Sequence, residues 1–193
     1  MFHIRNILIA LMTTLSGCAG MLSMPISFQE GSAGFDLLAI RQPKGPTCAL
    51  TCLYSVAEYW GTEKSITRIQ KELGKMPKGG YTLKQLRDWA RRNGFAAFVV
   101  KADISDLRKH TEKGRPIIVT FRASKKGNHS VVVLEVLGDG DLVVMDPKKG
   151  RDVIMPLTAF LPRWEILGNP ILIIAKSEPA EILPVDDSVD QME

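Results

Sequence analysis

The fold is set by the stretch PTCALTCLYSVAEYWG, residues 46–61. Its apolar side chains recur at the i, i+3, i+4 and i+7 spacing of a helix with one buried face, namely at Ala49, Cys52, Leu53, Val56, Ala57 and Trp60. The sequence therefore predicts a helix from Thr47 to Trp60, with Thr47 as its N-cap. Cys48 lies in the first turn of this helix, where backbone N–H groups and the helix dipole favour a thiolate over a thiol.

Two more helices and then a series of strands are predicted after this helix. Ser65 to Leu73 has the pattern of a short second helix ended by Gly74, and the capping box Thr82-Leu83-Lys84-Gln85 opens a third helix that stops at Asn93-Gly94. Apolar and β-branched segments then predict six strands, at residues 95–100, 116–121, 129–137, 141–146, 151–155 and 171–175. Helices followed by strands indicate an α+β fold in which the N-terminal helices pack on an antiparallel sheet.

A thiolate at Cys48 needs a base or a counter-cation, and two histidines follow it in the chain. His110 lies in the charged helix end RKHTEK, and we expect it to be solvated. His129 opens the most apolar strand and Asp146 ends the next one. A tight hairpin turn would put Asp146 opposite Val133, which is four residues from His129, so we expect the Asp146 and His129 side chains on one face of the sheet. At that spacing the two side chains are too far apart to make contact, so this pairing requires a bulge or a longer turn.

Two further residues belong to the candidate site. Gln42 precedes Cys48 by six residues, so its side-chain N–H is a candidate donor to a reacting oxygen, beside the Cys48 backbone N–H. Cys52 falls on the apolar stripe of the helix, and we interpret it as a core residue. Residue types alone also allow a metal site built from Cys48, Cys52, His129 and Asp146. However, one C-x-x-x-C pair on one helix is a weak metal signal, and we expect no cofactor.

These residues resemble the bacteriocin-processing cysteine peptidases, the papain-like domains of family thirty-nine. The resemblance covers about residues 38–176 and rests on Gln42, TCALTCL at 47–53, YWG at 59–61, LKQL at 83–86, Gly94, HSVVV at 129–133, Asp146-Pro147 and Gly150. It implies a papain-like cysteine peptidase fold, with Cys48 as nucleophile and His129 as general base and acid. By the same resemblance Asp146 orients the imidazole and Gln42 is the oxyanion donor. Members of the family are often fused to ABC exporters and cut leader peptides after a double glycine.

The chain departs from the family's pattern in two ways. Thr47-Cys48-Ala49 replaces the usual Asp-Cys-Gly, which we expect to be tolerated because Thr47 can cap as Asp does and Ala49 suits a helix. No transmembrane bundle or ATPase follows in this sequence, so we expect a stand-alone member with a possible secretion-system partner. The leading hypothesis is a lipid-anchored cysteine peptidase that hydrolyses peptides or proteins through a thioester at Cys48. A cell-wall peptide hydrolase or acyltransferase, and a non-catalytic peptide-binding module serving secretion, stay open as alternatives.

The N-terminus has the pattern of a bacterial lipoprotein signal. A short basic segment precedes the apolar residues 7–15, which are too few to span a bilayer as a mature helix. The LSGC sequence that ends at Cys18 resembles a lipobox. We therefore predict that residues 1–17 are a signal peptide, that Cys18 is lipidated, and that residues 18–35 form a membrane tether. Ala19, rather than Asp, at the next position favours the outer membrane, and we expect the protein on its periplasmic face.

Composition limits the remaining possibilities. The 193 residues are 45% hydrophobic and 24% charged, which fits one globular domain, predicted at residues 36–176. Residues 177–193 hold six acidic side chains and no Lys or Arg, and we predict an acidic disordered tail there. Residues 18–176 hold 24 basic and 15 acidic side chains. This balance is compatible with anionic partners such as lipid head groups or acidic peptides, and in an exported protein a solvated basic surface is a better interpretation than a nucleic-acid site.

Overall fold

The computed structural model describes residues 35–125 and 127–176. In chain order it contains helices α1 (Cys48–Tyr59), α2 (Ile66–Leu73) and α3 (Leu83–Arg92), strand β1 (Phe95–Lys101), helix α4 (Ile104–Thr111), strands β2 (Ile117–Ser124), β3 (Gly127–Val136), β4 (Leu142–Asp146) and β5 (Arg151–Met155), helix α5 (Leu157–Glu165) and strand β6 (Pro170–Lys176). The predicted α+β class is confirmed. The predicted signal peptide, the lipidation site Cys18, nearly all of the predicted tether and the predicted tail lie outside the described residues.

The six strands form one antiparallel sheet in the order β1-β6-β2-β3-β4-β5. Side chains alternate between its faces, so neighbouring residues of one strand enter different cores. Val132 packs in the core under α1, α2 and α3, whereas Val131 and Val133 pack in the core with Phe160 and Trp164 of α5. Because both faces are covered, β3 reads as a nearly continuous apolar run instead of an alternating one.

The N-terminal helices begin and end where the sequence predicts. The Ser65 hydroxyl accepts a hydrogen bond from the backbone of α2, and Gly74 ends that helix with a φ of 80°. Thr82 and Gln85 form the predicted capping box of α3, and Asn93 is its C-cap. Within the two described ranges, no helix combines the length and the apolarity needed to cross a membrane.

Two helices, α4 and α5, lie among the strands. The sequence pattern predicts only the charged end of α4, although Asp103 and Asp106 form a complete capping box at its start. Helix α5 was missed because Pro156 precedes it and Pro162 lies inside it, and proline removes a backbone donor. These helices cover the sheet face that α1–α3 leave open.

The register of β3 and β4 differs from the one predicted for a tight hairpin. Val136 pairs with Leu142, but Val133 pairs with Val144, because a bulge at Leu134 shifts the register between the two pairs. The predicted pairing of Asp146 with Val133 is therefore wrong. The bulge and a longer turn move Asp146 two residues along β3, beyond Met145, which pairs with Val132. This shift brings Asp146 toward His129.

Candidate active site

Three predicted side chains come together where α1, β3 and β4 meet. His129 Nε2 lies 2.7 Å from Asp146 Oδ1, and only 13% of the His129 side chain and 9% of the Asp146 side chain are exposed. Because Asp146 occupies Nε2, the other ring nitrogen, Nδ1, is the one left for the hydrogen bond between His129 and Cys48. The edge of the His129 ring also contacts Phe121, with ring centroids 5.8 Å apart. Contacts with Asp146, Cys48 and Phe121 thus fix the orientation of the imidazole.

The pKa of the Cys48 thiol is lowered by its neighbours against the effect of burial. Burial raises this pKa, because a thiolate is poorly solvated inside a protein. The His129 hydrogen bond, the Ser130 backbone N–H, the charge of the imidazolium and the Ala49 backbone N–H together outweigh burial. The net shift is below the ordinary thiol value, so the arrangement favours a thiolate next to a charged imidazole.

The two partners of this thiolate shift in the complementary directions. Burial lowers the pKa of His129, but hydrogen bonds to Asp146 and Cys48 and the negative charges on both raise it to about 9. Burial raises the pKa of Asp146, whereas hydrogen bonds from His129 and from the Lys148 backbone N–H lower it overall. The three shifts together favour a thiolate, an imidazolium and a carboxylate at this site.

The turn after Asp146 is fastened to the segment that precedes α1. The backbone N–H groups of Lys149 and Gly150 donate to the Asp146 carbonyl oxygen at 2.9 and 2.8 Å. Arg41 donates from Nη2 to the Lys149 carbonyl oxygen at 3.0 Å. Gly150 has a φ of +67°, and a Cβ atom there would lie 2.7 Å from Arg41 Cβ and 2.9 Å from its backbone. Only glycine fits this contact, which holds Asp146 in place.

The N-terminus of α1 leaves backbone donors free beside Cys48. Thr47 is the N-cap, as predicted, but its hydroxyl donates to the Pro43 carbonyl oxygen at 3.0 Å and makes no capping bond. The expectation that Thr47 caps through its side chain is therefore wrong, because this hydroxyl already serves the preceding loop. The first N–H groups of a helix have no partner inside it, so the Cys48 N–H remains available to a bound oxygen.

Gln42 lies beside the turn after Asp146. Its backbone N–H donates to the Pro147 carbonyl oxygen at 2.7 Å, and its Nε2 donates to the Gly45 carbonyl oxygen at 3.0 Å. Its Oε1 is buried without a hydrogen-bond partner among the described residues. An amide nitrogen carries two hydrogens, so one N–H of Gln42 is left for a ligand.

Two other candidates stand apart from this cluster. Cys52 is fully buried one turn along α1, and burial raises its pKa well above the ordinary thiol value. His110 lies on α4, where burial and the charge of Arg115 lower its pKa. In the part of the chain that the structure describes, no three His, Cys, Asp or Glu side chains are grouped so as to hold a metal ion.

A groove of about 510 Å³ opens beside Cys48. Loops, strand ends and the first turns of α1 and α3 line it, and apart from Cys48 no described residue of the lining carries a charged side chain. The other lining residues are Pro46, Ala49, Pro77, Gly79, Gly80, Tyr81, Thr82, Leu83, Thr120, Asn128, Ser130, Leu167 and Pro170. The sequence pattern does not predict this groove, although Gly79-Gly80 directly before a capping box is a signal for a tight loop. Gly80 has a φ of +86°, and a Cβ atom there would lie 2.5 Å from the Pro46 carbonyl oxygen. The loop thus packs directly against the start of α1.

The arrangement of cysteine, histidine and aspartate on this fold agrees with a comparison of the sequence with known families. The model of the peptidase C39 family matches residues 37–178. The chain belongs to the peptidase C39 family. The resemblance stated from the sequence is confirmed at that level, and the matched range includes the whole cluster and the groove.

One relative of this C39 chain is the Lactococcin-G-processing and transport ATP-binding protein of Lactococcus lactis subsp. lactis. It is 26% identical over 153 residues, which make up 79% of this chain and 20% of that protein. The chain therefore corresponds to a small part of that relative's length.

Solved structures of C39 domains share the fold. The peptidase domain of Streptococcus ComA, a bi-functional ABC transporter in a quorum sensing pathway, superposes with a TM-score of 0.61 at 26% identity, over 72% of this chain and 97% of that domain. A double glycine motif protease from an AMS/PCAT transporter, solved with its leader peptide, superposes with a TM-score of 0.60 at 21% identity, over 77% of this chain and 96% of that chain. The papain-like peptidase fold predicted from the sequence is thereby confirmed.

Replacement of Gly150 by alanine tests whether the turn after Asp146 positions the histidine. We expect Gly150→Ala to lower the free energy of unfolding by about 1 kcal/mol or more, because alanine is strained at positive φ and clashes with Arg41. We also expect slower alkylation of Cys48, since Asp146 moves away from His129. Gly138→Ala is the matched control, because its Cβ atom meets open space. Equal stability and equal alkylation in both variants would contradict this account.

The pKa shifts predict the pH dependence of Cys48 alkylation. Because the pKa of Cys48 is lowered, its thiolate fraction near about pH 6 exceeds that of an ordinary thiol, so iodoacetamide should label Cys48 faster there than an unperturbed cysteine. In His129→Ala the hydrogen bond and the positive charge of the imidazolium are lost, so the pKa of Cys48 rises and labelling at that pH falls about tenfold for each unit of the rise. Mass spectrometry of the peptide that contains Cys48 measures the rate, with His110→Ala as the control. A rate that is indifferent to His129 would sink the ion-pair assignment.

Proposed function

We propose that this chain is a cysteine endopeptidase that cuts peptide bonds through a thioester at Cys48. The observation that carries the proposal is the hydrogen-bonded series Cys48–His129–Asp146 at the edge of an uncharged groove. Membership in the C39 family supports it. A non-catalytic peptide-binding module would not need a lowered thiol pKa or a buried carboxylate aligned on the imidazole, so this alternative has less support.

The three side chains have distinct roles in the proposed reaction. The Cys48 thiolate attacks the carbonyl carbon of the scissile bond, and the carbonyl oxygen becomes an oxyanion. His129 gives its Nδ1 proton to the leaving nitrogen, the C–N bond breaks, and the acyl group stays on Sγ as a thioester. Water then gives a proton to His129 as it attacks the thioester, and the C–S bond breaks to release a carboxylic acid product. Asp146 keeps the imidazole oriented throughout.

The oxyanion needs hydrogen-bond donors that face the former carbonyl oxygen. The Cys48 backbone N–H lacks a helical partner, and the free N–H of Gln42 is the second candidate. The bond from Gln42 Nε2 to the Gly45 carbonyl fixes the amide group without consuming both of its hydrogens. We propose this pair as the oxyanion hole.

The substrate class follows from the groove and from the names of the relatives. The groove combines apolar side chains such as Tyr81 and Leu83 with glycine and small polar residues, and none of the described residues that line it carries a charged side chain besides Cys48, which suits an extended peptide with uncharged residues at the cleavage point. A relative is named for lactococcin-G processing, and a solved relative for the double glycine motif. We therefore propose leader-type peptides that end in two glycines as substrates, with a transporter or another secretion component as partner.

Cleavage of paired peptides tests the activity and its specificity. We expect hydrolysis after a Gly-Gly pair, and kcat/KM at least about tenfold lower when both glycines are replaced by valine, because branched side chains need space beside Cys48 that glycine does not need. Cys48→Ala should abolish cleavage, whereas Cys52→Ala should retain it. Product masses measured over time show both the position and the rate. Cleavage that persists in Cys48→Ala would refute the mechanism, and equal cleavage of both peptides would refute the specificity.

We further propose that Cys18 carries a lipid that holds the peptidase at the outer membrane of a bacterium. The support is the LSGC sequence that ends at Cys18, followed by Ala19. We expect the wild-type chain to fractionate with membranes and to incorporate labelled palmitate, because diacylation adds about 0.8 kcal/mol of membrane affinity per buried methylene. Cys18→Ala should move the chain to the soluble fraction without label. Unchanged membrane association of this variant would contradict the anchor.

A further inference from the structure

Two hydroxyl groups lie side by side in the groove beside Cys48. Thr120 of β2 and Ser130 of β3 are directly opposite each other in the sheet, and their side-chain oxygens are 2.8 Å apart. Both residues line the groove together with Cys48. The backbone N–H of Ser130 also donates to the Cys48 sulfur. The Thr120–Ser130 hydroxyl pair is therefore an immediate neighbour of the nucleophile.

This hydroxyl pair stands where the apolar core of the sheet ends. On the same face, two residues further along each strand, Ile118 is opposite Val132, and both are fully buried in the core under α1, α2 and α3. Ser130 is only 3% exposed, and Thr120 is half-buried. Apolar side chains at this step would extend the core without the cost of burying hydroxyl groups. A polar pair at this depth is therefore explained by the groove and not by the core.

The hydrogen bonds of the pair leave one donor unused. Two hydroxyl groups carry two hydrogens, and the bond between them consumes one. Among the described residues, neither hydroxyl group has a second side-chain or backbone partner. Ser130 is the deeper of the two residues, so the unused hydrogen reaches the groove when Ser130 donates to Thr120 and the Thr120 hydroxyl points outward.

The rest of the lining is poor in free donors. The Tyr81 hydroxyl already donates to the Gly74 carbonyl oxygen at 2.7 Å, the Thr82 hydroxyl is bonded to Gln85, and Asn128 is exposed to solvent. A buried peptide must still satisfy its main-chain carbonyl oxygens, because an unpaired buried acceptor is costly. Three residues of the lining have no backbone N–H to offer such an oxygen: Pro46, Pro77 and Pro170.

We propose that Ser130 donates to Thr120 Oγ1 and that the Thr120 hydroxyl donates to a main-chain carbonyl oxygen of the bound peptide, one that is adjacent to the scissile carbonyl. This inference rests on the proposed peptidase function and deepens it. Thr120 is a substrate-binding residue, and Ser130 is a positioning residue that acts through Thr120. The scissile oxygen itself is left to the Cys48 N–H and Gln42.

The contact holds the peptide at a fixed depth relative to the Cys48 sulfur. It is made to the main chain, so it does not discriminate among the substrate's side chains. It forms when the substrate binds and persists during the reaction. Loss of the contact therefore raises KM and changes kcat little, because it removes binding that is common to the ground state and the transition state.

Steady-state cleavage of the Gly-Gly peptide tests the role of Thr120. We expect Thr120→Val, which keeps the shape of the side chain and removes its hydroxyl, to raise KM roughly threefold to tenfold. Thr120→Ser restores a hydroxyl and should restore KM. Thr158→Val, at an exposed position of α5, is the matched control and should leave KM unchanged. An unchanged KM in Thr120→Val overturns the proposal. Iodoacetamide labelling of Cys48 that slows as much as cleavage also overturns it, because the loss then lies in the geometry of the site.

A double-mutant cycle tests the order of the two hydroxyl groups. Ser130→Ala should raise KM roughly twofold to threefold in the wild-type background. It should have no further effect in the Thr120→Val background, because Ser130 acts through Thr120. An equal effect of Ser130→Ala in both backgrounds would show an independent structural role and would overturn this assignment.

Modified substrates identify the carbonyl oxygen that Thr120 contacts. In a series of Gly-Gly peptides, one main-chain carbonyl oxygen at a time is replaced by sulfur, which is a weaker acceptor. We expect one substitution, next to the scissile carbonyl, to raise KM in the wild type and not in Thr120→Val. If every substitution has the same effect in both proteins, no carbonyl is bound by Thr120 and the proposal is wrong.

Calorimetric binding of the Gly-Gly peptide to Cys48→Ala separates this inference from the proposed function. If the wild type cleaves no peptide, but Cys48→Ala binds it and added Thr120→Val weakens binding roughly threefold to tenfold, the function fails and the contact stands. If cleavage occurs and Thr120→Val changes neither KM nor binding, the contact fails and the function stands. Absence of both cleavage and binding overturns both.

Discussion

The hydrogen bond between His129 Nε2 and Asp146 Oδ1 is the interaction on which the candidate site depends. Burial alone would keep the Cys48 sulfur protonated and the imidazole neutral, because each charged form loses its solvation. Hydrogen bonds to the buried carboxylate and to Cys48, with the negative charges on both, reverse this balance by raising the pKa of His129 to about 9, and the resulting cation then favours a thiolate. The charges are therefore interdependent.

This hydrogen bond is a product of the fold's irregular parts. Regular pairing of β3 and β4 would leave Asp146 opposite Val133, and the bulge at Leu134 is what shifts it toward His129. The turn to Gly150 then fastens Asp146 to Arg41, on the segment that leads into α1. The rigid sheet, buried on both faces, fixes the backbone positions of His129 and Asp146, and one bulge and one glycine contact align their side chains.

The sequence predicts the regular elements well because their signals are local. The 3.6-residue stripe from Ala49 to Trp60 and the capping box at Thr82 each depend on a few neighbouring residues, and both helices form where these signals place them. The position of Asp146 depends on a register between strands, which no local pattern encodes, so only the need for a bulge was foreseeable. Helix α5 was hidden by Pro162, and the engagement of the Thr47 hydroxyl with Pro43 depends on a loop conformation. Tertiary context decided each of these cases.

The surroundings of Cys48 also limit which groups a substrate can carry to the cleavage point. A carboxylate held in the groove would raise the pKa of the Cys48 thiol, because a nearby negative charge disfavours a thiolate. It would also lie close to the carboxylate of Asp146, in a partly buried position where screening by salt is weak. No charged side chain among the described residues that line the groove could compensate such a charge. The site therefore favours uncharged residues next to the scissile bond.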